Sequence, residues 1–339
     1  MKFNVPNLAT FDAMMKCEQV LGNGGGQILV SISGGADSDV MLDLIYRQKK
    51  EKGFNCEIHY VFFDTGIELQ ATKDHLDYLE KKYNIKIERV RAKVPVPLGC
   101  VKYGLPFLSK DISAKINSLQ NNNFDFASDG DKPFEELIAK YPKCKASIKW
   151  WCNKKPNGFG IDANLFLKEF MIENPPIFNI SARCCEGAKK RPSHEYENVG
   201  NFNIKCLGLR KAEGGVRSTK IKNCFTDKGK IKEYRPIFWF TDKDKKEYET
   251  FYNITHSKCY TEYGFKRTGC CGCPFNSKFD EDLDKIKDKE PLLYQAVNKI
   301  FGKSYEYTRA YRRYKEERRQ GVFKGQENMF DLIEKGETK

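Results

Sequence analysis

The sequence contains no long hydrophobic run and no recognisable export signal. No stretch reaches the roughly 18 consecutive apolar residues that a membrane-spanning helix needs. The first residues, MKFNVPNLATF, lack the apolar centre of a signal peptide. Internal repeats and low-complexity tracts are also missing. These absences exclude a helical membrane protein and argue against a secreted or repeat protein, so we expect a soluble, cytoplasmic chain.

Basic residues, in contrast, are abundant. The chain has 59 Lys and Arg residues against 46 Asp and Glu residues, a formal net charge of +13. Such an excess favours polyanionic partners such as nucleotides, DNA or RNA, although lysine-rich surfaces also occur without them. The segment YEYTRAYRRYKEERRQG near the end predicts a basic helix with interleaved tyrosines. It is either a solvated surface helix or a nucleic-acid contact.

Thirteen cysteines are many for a chain without an export signal, and they favour metal binding or redox chemistry over disulfides. Four of them lie in or near apolar stretches and are interpreted as small core residues: Cys17, Cys56, Cys100 and Cys206. The remainder is unevenly distributed: Cys184 and Cys185 are adjacent, Cys224 stands alone, and Cys270, Cys271 and Cys273 lie together in RTGCCGCPF. For Cys152, at the end of KWWC, the sequence indicates no mechanism.

The stretch SISGGADSDV lies where a predicted strand, QILVSI, meets a predicted helix. A strand–glycine turn–helix junction directs backbone N–H groups and the helix dipole at an anion, usually a phosphate. A second strand ends in FDTG, and IKIERVRA predicts a third. The alternation predicts an α/β fold, with a parallel twisted sheet flanked by helices and a cysteine-rich C-terminal part. Both turns should lie at the carboxyl ends of the strands, where ligands bind.

Pattern changes along the chain suggest four segments. Residues 1–95 form the first half of a nucleotide-binding domain, and residues 96–176 form a helical, partly polar insertion. Residues 177–275 complete the domain with a cysteine-rich metal site. Residues 276–339 form a basic helical extension.

Five motifs together resemble a known family. SGGADS resembles the SGGxDS signature of the PP-loop ATP-pyrophosphatase superfamily. FDTG, ISARCCEGAKKRP, GLRKAEGGVR and RTGCCGCPF, in this order, resemble the phosphoadenosine phosphosulfate (PAPS) reductase family, which includes members similar to DNA phosphorothioation and RNA thiolation enzymes. The matches extend from about residue 27 to residue 275, and therefore cover most of the chain.

The resemblance implies a nucleotide site and a metal site. Ser33, Gly34, Gly35, Asp37 and Ser38 would hold the phosphates of ATP or PAPS, with Asp37 supporting the loop or a Mg²⁺ ion. Asp64, Thr65 and Gly66 would bound the pocket, while Arg210 and Arg217 would bind phosphate or sulfate oxygens and Glu213 could orient one of them. Asp37, Ser38, Arg210 and Arg217 are the catalytic candidates. The implied 4Fe–4S cluster, with zinc as the alternative, would use Cys270 and Cys273 with Cys184 and Cys185. Because the chain also offers Cys224 and Cys271, the fourth ligand is ambiguous.

One departure from the family bears on function. Reductases of this type use a nucleophilic cysteine near the C-terminus, but the last cysteine of this sequence is Cys273 and the tail reads EKGETK. We therefore expect an enzyme that adenylates an acceptor with ATP ahead of sulfur transfer, with a nucleic acid as a possible acceptor and a separate sulfur donor. The alternatives are a PAPS or adenylyl-sulfate reductase using a thioredoxin-like reductant, and a non-catalytic nucleotide-binding redox sensor. Oligomeric state is left open.

Overall fold

A computed structural model describes residues 4–22, 26–155, 158–214, 220–227 and 229–334, with side chains as far as residue 321. The chain divides into two compact units. The first consists of residues 1–96, 185–271 and 280–295, and the second of residues 97–184, 272–279 and 296–339. The four functional segments expected from the sequence stay a prediction.

The first unit is built on a six-stranded sheet in the order β3-β2-β1-β4-β6-β5. The strands are β1 (Gly26–Ile32), β2 (Cys56–Asp64), β3 (Ile87–Arg91), β4 (Phe202–Leu207), β5 (Phe225–Thr226) and β6 (Lys232–Tyr234). All neighbouring pairs are parallel except β5 with β6, which is antiparallel. The predicted α/β class with a parallel sheet is thereby confirmed.

Helices connect these strands and make up most of the second unit. The longer α-helices are Leu8–Cys17, Ala36–Lys52, Gln70–Tyr83, Val96–Tyr103, Lys110–Gln120, Phe134–Lys140, Lys145–Trp151, Leu167–Glu173, Arg191–Val199, Asp242–Phe251, Phe279–Lys289 and Pro291–Glu334. Shorter helical turns span Glu18–Gly22, Phe126–Asp129, Pro142–Cys144, Ile161–Ala163, Arg183–Cys185, Glu186–Lys190, Lys211–Glu213 and Lys258–Thr261.

Strand β1 is at the centre of the first unit. Its residues Ile28, Leu29 and Val30 are completely buried, as expected for a parallel strand covered on both faces. The core cysteines predicted in this unit, Cys17, Cys56 and Cys206, are buried, and Cys100 is buried in the second unit. The helix predicted to start at Thr241 is capped there, because its hydroxyl accepts the Asp244 N–H.

The second unit has a helical, aromatic core. Trp150 and Trp151, from the KWWC segment, are almost fully buried, and the Trp151 indole N–H donates to the Gly130 carbonyl at 2.8 Å. Phe107 and Phe170 pack in the same cluster. The two tryptophans therefore stabilise the fold of this unit. Within the described ranges, no helix has both the length and the apolar character needed to cross a membrane.

Candidate functional site

The SGGADS turn lies at the carboxyl end of β1 and leads into helix Ala36–Lys52. Gly34 has a φ of +66°, a left-handed conformation that favours glycine. Gly35 is the N-cap residue and is extended, and as a glycine it has no side chain of its own to cap the helix. The Ser38 hydroxyl accepts the Ser33 N–H at 3.0 Å, which closes the turn. The turn thus presents a helix N-terminus without a side-chain cap, the geometry that suits an anion.

Three hydroxyl groups surround Gly35. A Cβ atom at this position would lie 2.9 Å from the Thr268 hydroxyl, 3.2 Å from that of Ser33 and 3.3 Å from that of Tyr260. The Tyr260 hydroxyl also accepts the Ala36 N–H at 3.2 Å. Glycine is therefore required here by close packing. The sequence analysis missed Tyr260 and Thr268, because they are more than 200 positions away and belong to no motif that predicts a contact with the loop.

Asp37 forms ion pairs with two basic side chains. One of its carboxylate oxygens, Oδ1, lies 2.9 Å from Nε of Arg210 and 2.7 Å from Nζ of Lys245. Burial alone would raise the pKa of Asp37, but the hydrogen bond and charge of Lys245 and the charge of Arg210 lower it below its usual value. Asp37 is therefore ionised in the folded chain. We call Asp37, Arg210 and Lys245 the Asp37 clamp.

Arg210 is brought to the loop by the end of β4. Its side chain is only 8% exposed and also contacts Asp242, with Nη1 2.9 Å from the carboxylate. Glu213, expected to orient an arginine, instead accepts the Arg210 backbone N–H at 3.3 Å and hydrogen-bonds to Asp37. Burial and the neighbouring Asp37 raise the pKa of Glu213. Arg217, the other predicted arginine, lies outside the described residues.

The FDTG turn follows β2, the neighbour of β1. Asp64 accepts the Gly66 N–H at 2.8 Å, and Gly66 has a φ of +86°. The Thr65 hydroxyl is buried and donates to Glu68 at 2.6 Å. Because β1 and β2 are parallel and adjacent, both predicted turns lie at the same edge of the sheet. The sequence analysis did not identify Glu68, although a carboxylate three residues after Thr65 is close enough in sequence to predict a contact with the turn.

Within the first unit, Cys270 lies close to a lysine and a carboxylate. Burial raises the pKa of the Cys270 thiol, and Glu68 and Cys185 reinforce this shift. The charge of Lys189 and a hydrogen bond with Thr65 oppose it but do not cancel it. The same Lys189 has a raised pKa, because the charges of Cys270, Glu68 and Cys185 outweigh its burial. The sequence analysis included Lys189 only as part of the motif ISARCCEGAKKRP.

The predicted metal ligands are divided between the two units. Cys185, Cys224 and Cys270 belong to the first unit, whereas Cys184 and Cys273 belong to the second. Within the described ranges, no three or more His, Cys, Asp or Glu side chains are grouped so that they could hold a metal ion. Cluster and ligand set stay predictions.

Comparison with known proteins gives a family match for part of the chain. Residues 27–108, which include both turns, match the family model of the phosphoadenosine phosphosulfate reductase domain. This stretch, 82 of the 339 residues, is therefore similar to that domain. A second match is an uncharacterized protein from Methanocaldococcus jannaschii, 23% identical over 278 residues, or 80% of this chain. The chain spans only 41% of the length of that relative.

Solved structures with a similar arrangement include three of the PP-loop superfamily, each at low similarity. PAPS reductase from Candida auris is 14% identical, with a TM-score of 0.39 over 77% of this chain and 87% of the other. The U34-tRNA thiolase NcsA from Methanococcus maripaludis, which has a 4Fe–4S cluster, is 15% identical, with a TM-score of 0.38 over 91% and 80%. NH3-dependent NAD synthetase from Campylobacter jejuni is 13% identical, with a TM-score of 0.36 over 88% and 94%.

Proposed function

We propose that this chain is an ATP-dependent adenylating enzyme whose activated product then accepts sulfur. An acceptor nucleophile attacks the α-phosphorus of ATP, the bond to the β-phosphate oxygen breaks, and pyrophosphate leaves. A sulfide-level sulfur donor then attacks the activated acceptor, a bond from the acceptor to sulfur forms, and AMP leaves with the oxygen that carried it. The observation that supports this proposal most strongly is the glycine turn, in which a helix without a side-chain cap begins at the end of β1.

The residues of the first unit supply binding and charge stabilisation. Backbone N–H groups at the start of helix Ala36–Lys52 would bind phosphate oxygens, and Ser33 and Ser38 would fix the turn. Oδ1 of Asp37 already contacts two cations. This favours the loop-supporting role of Asp37 over that of a metal ligand. Mg²⁺ would then be held mainly by the nucleotide phosphates and would neutralise their charge.

The cluster implied by the family has no assigned step in this reaction. Cys185 and Cys270, which interact electrostatically in the first unit, are the pair we propose as ligands from that unit. The other two ligands would have to come from Cys184, Cys224 or Cys273.

The second candidate function is reduction of PAPS or adenylyl sulfate, and one observation favours it. Cys270 hydrogen-bonds to Thr65, which directly follows β2, so a thiol lies at the edge of the sheet that has the two turns. However, burial raises the pKa of this thiol, whereas a nucleophilic cysteine needs a lowered one. Adenylation is therefore the better-supported reaction.

Pyrophosphate release separates the two reactions. Anaerobically purified protein is given ATP, Mg²⁺ and candidate acceptors, and pyrophosphate is measured; a parallel sample is given PAPS and reduced thioredoxin, and sulfite is measured. We expect pyrophosphate and no sulfite. Sulfite without pyrophosphate would replace adenylation with reduction. Nucleotide binding with neither product would support the redox-sensor alternative.

A further inference from the structure

The second unit contains a basic cavity that the proposed reaction does not use. It has a volume of about 320 Å³ and is lined by residues of helix Pro291–Glu334 and of three further segments, at residue 108, residues 163–165 and residues 274–277. Three of its lining residues are the cations Arg312, Lys315 and Arg319, and no lining residue is acidic. The volume is at the lower end of the range for small-molecule sites, which suits one nucleotide-sized group.

The cations form one stripe of the helix. Thr308, Arg312, Lys315 and Arg319 follow the spacing i, i+4, i+7 and i+11, which places them on the same helix face. Like charges this close repel one another when no anion lies between them. Within the described ranges, neither Lys315 nor Arg319 forms an ion pair with an acidic side chain. In contrast, Arg318, on another face, contacts Glu173 at 2.7 Å.

A buried polar atom in the wall also indicates a ligand. Thr308 is only 1% exposed, and among the described residues its hydroxyl oxygen has no hydrogen-bond partner. In a helix, a threonine hydroxyl commonly bonds to the carbonyl one turn earlier, and a buried hydroxyl without a partner is costly. A phosphate oxygen in the cavity would accept a hydrogen bond from this hydroxyl.

The remaining wall suits the rest of a nucleotide. Arg312 is fixed in place, because its Nη2 donates to the Ser277 carbonyl at 2.6 Å and its guanidinium lies over the Phe279 ring at 4.7 Å. Tyr311 presents an aromatic side chain, and Leu108 and Leu165 add apolar surface. Aromatic surface beside a positively charged groove is the combination that proteins use to bind single-stranded nucleic acids.

We propose that this cavity binds the phosphate of a nucleotide unit, with Thr308, Lys315 and Arg319 as the contacting residues. Two sources have this chemistry, a free mononucleotide and a nucleotide within a nucleic acid. The inference deepens the proposed function, in which a nucleic acid is a possible acceptor. It rests on that function only for the role of a bound nucleic acid as the acceptor.

The test uses thymine probes, because an adenine nucleotide would also bind to the proposed ATP site. Binding of fluorescent oligo(dT) and of dTMP to the full chain is measured over a KCl series. The pocket variant Lys315→Ala/Arg319→Ala is compared with Lys303→Ala/Arg313→Ala, which removes the same two charges from exposed positions of the same helix outside the cavity. We expect the pocket variant to lose about tenfold or more in affinity. For oligo(dT), its slope of log affinity against log salt should fall by about 0.7, the value for one lost phosphate contact.

The Thr308→Val variant tests the site without changing charge. It should weaken probe binding without lowering the melting temperature, because valine has the same shape and removes an unsatisfied hydroxyl. A merely structural hydroxyl would show a lower melting temperature instead. That result, together with unchanged probe binding, would overturn the proposal.

The two probes distinguish the sources. Pocket-dependent binding of oligo(dT) but not dTMP would assign the site to nucleic acid, and equal pocket-dependent binding of dTMP would assign it to free nucleotides. Equal losses in the two double variants, or no binding of either probe, would overturn the proposal. ATP binding and pyrophosphate release are measured on the same variants. Both should be retained where probe binding is lost, so failure of the cavity and failure of the adenylation proposal give different results.

Discussion

Nδ1 of His256 lies 2.8 Å from a carboxylate oxygen of Asp39, a residue that is almost fully buried in the first turn of the helix that follows the glycine turn. The other ring nitrogen of His256 lies 2.9 Å from Glu249, and His75 contacts the second Asp39 oxygen at 3.0 Å. Lys245 of the Asp37 clamp lies 3.5 Å from the same Glu249. A line of polar contacts therefore extends from the partly buried His256 to the loop.

This arrangement predicts a dependence of stability on pH. Burial would lower the pKa of His256, but its hydrogen bonds to Asp39 and Glu249 raise it to about 9. Because the folded-state pKa exceeds the unfolded value of about 6.5, the stabilisation is complete below pH 6.5 and is lost as the pH rises through about 9. We expect the free energy of unfolding to fall by up to about 3 kcal/mol across this interval.

Urea unfolding of wild type and His256→Gln at several pH values between 6 and 10 measures this loss. The variant should be less stable at pH 6 and should show a much flatter profile. His194→Gln is the matched control, because the His194 side chain is 70% exposed and lies 3.7 Å from the Glu197 carboxylate, which is too far for a hydrogen bond. A wild-type profile retained in His256→Gln would show that other groups cause the pH dependence.

The parts of the site that are contiguous in sequence could be predicted. Strand, glycine turn and helix follow one another directly, so local periodicity and the conformational freedom of glycine were sufficient to locate the glycine turn. The FDTG turn was found in the same way. The parallel sheet then brings both turns to one edge, which is a general property of this fold class.

The residues that support the loop could not be predicted in this way. Tyr260 bonds to Ala36 across 224 positions, and Lys245 reaches Asp37 from a helix whose sequence, DKDKKEYETF, resembles an ordinary solvated surface helix. Such contacts depend on how the chain packs, and a single sequence has no spacing signal for them. For the cysteines, the local motif C-x-x-C was easy to recognise in the sequence. Its two cysteines nevertheless belong to different compact units, Cys270 to the first and Cys273 to the second.

The next prediction concerns Gly35. Gly35→Val should weaken ATP binding by at least about 100-fold, or about 2.7 kcal/mol, because the new side chain would fill the space where backbone and hydroxyls meet. Isothermal titration calorimetry measures the effect, and thermal unfolding reports on the fold. Adding Thr268→Ala should relieve the 2.9 Å contact and restore stability, but not binding. Gly302→Ala, where an added Cβ meets nothing within 4 Å, is the control. ATP affinity unchanged in Gly35→Val would remove this loop from the nucleotide site.

The cluster prediction is tested by metal analysis. Anaerobically purified protein should be brown and contain about four irons and four sulfides per chain, the composition of the proposed cluster. Cys270→Ser should lose most of this iron, whereas Cys152→Ser, which changes a half-buried cysteine outside the predicted ligand set, should retain it. Stoichiometric zinc without inorganic sulfide would identify a structural metal site instead. Protein without either metal would make the cysteines packing or redox residues.

The last prediction concerns the Asp37 clamp and the two roles that the sequence left open for Asp37. If the carboxylate supports the loop, replacing its partner Arg210 or Lys245 should weaken nucleotide binding, and the dependence of binding on Mg²⁺ should stay unchanged. If it binds Mg²⁺, replacing Asp37 should change the Mg²⁺ dependence most. The position of both cations on the same oxygen favours the first role.

Lys245→Met keeps the length of the side chain and removes its charge, so we expect the Kd for ATP to rise by about tenfold, or about 1.4 kcal/mol. Lys243→Met is the control on the same helix, since Lys243 is 85% exposed and should have no effect. Asp37→Asn combined with Lys245→Met should cost less than the sum of the two single changes, because both remove one interaction. ATP affinity is measured at several Mg²⁺ concentrations. An unaltered Kd in Lys245→Met, together with a higher Mg²⁺ requirement in Asp37→Asn, would contradict the loop-supporting role and make Asp37 a metal ligand.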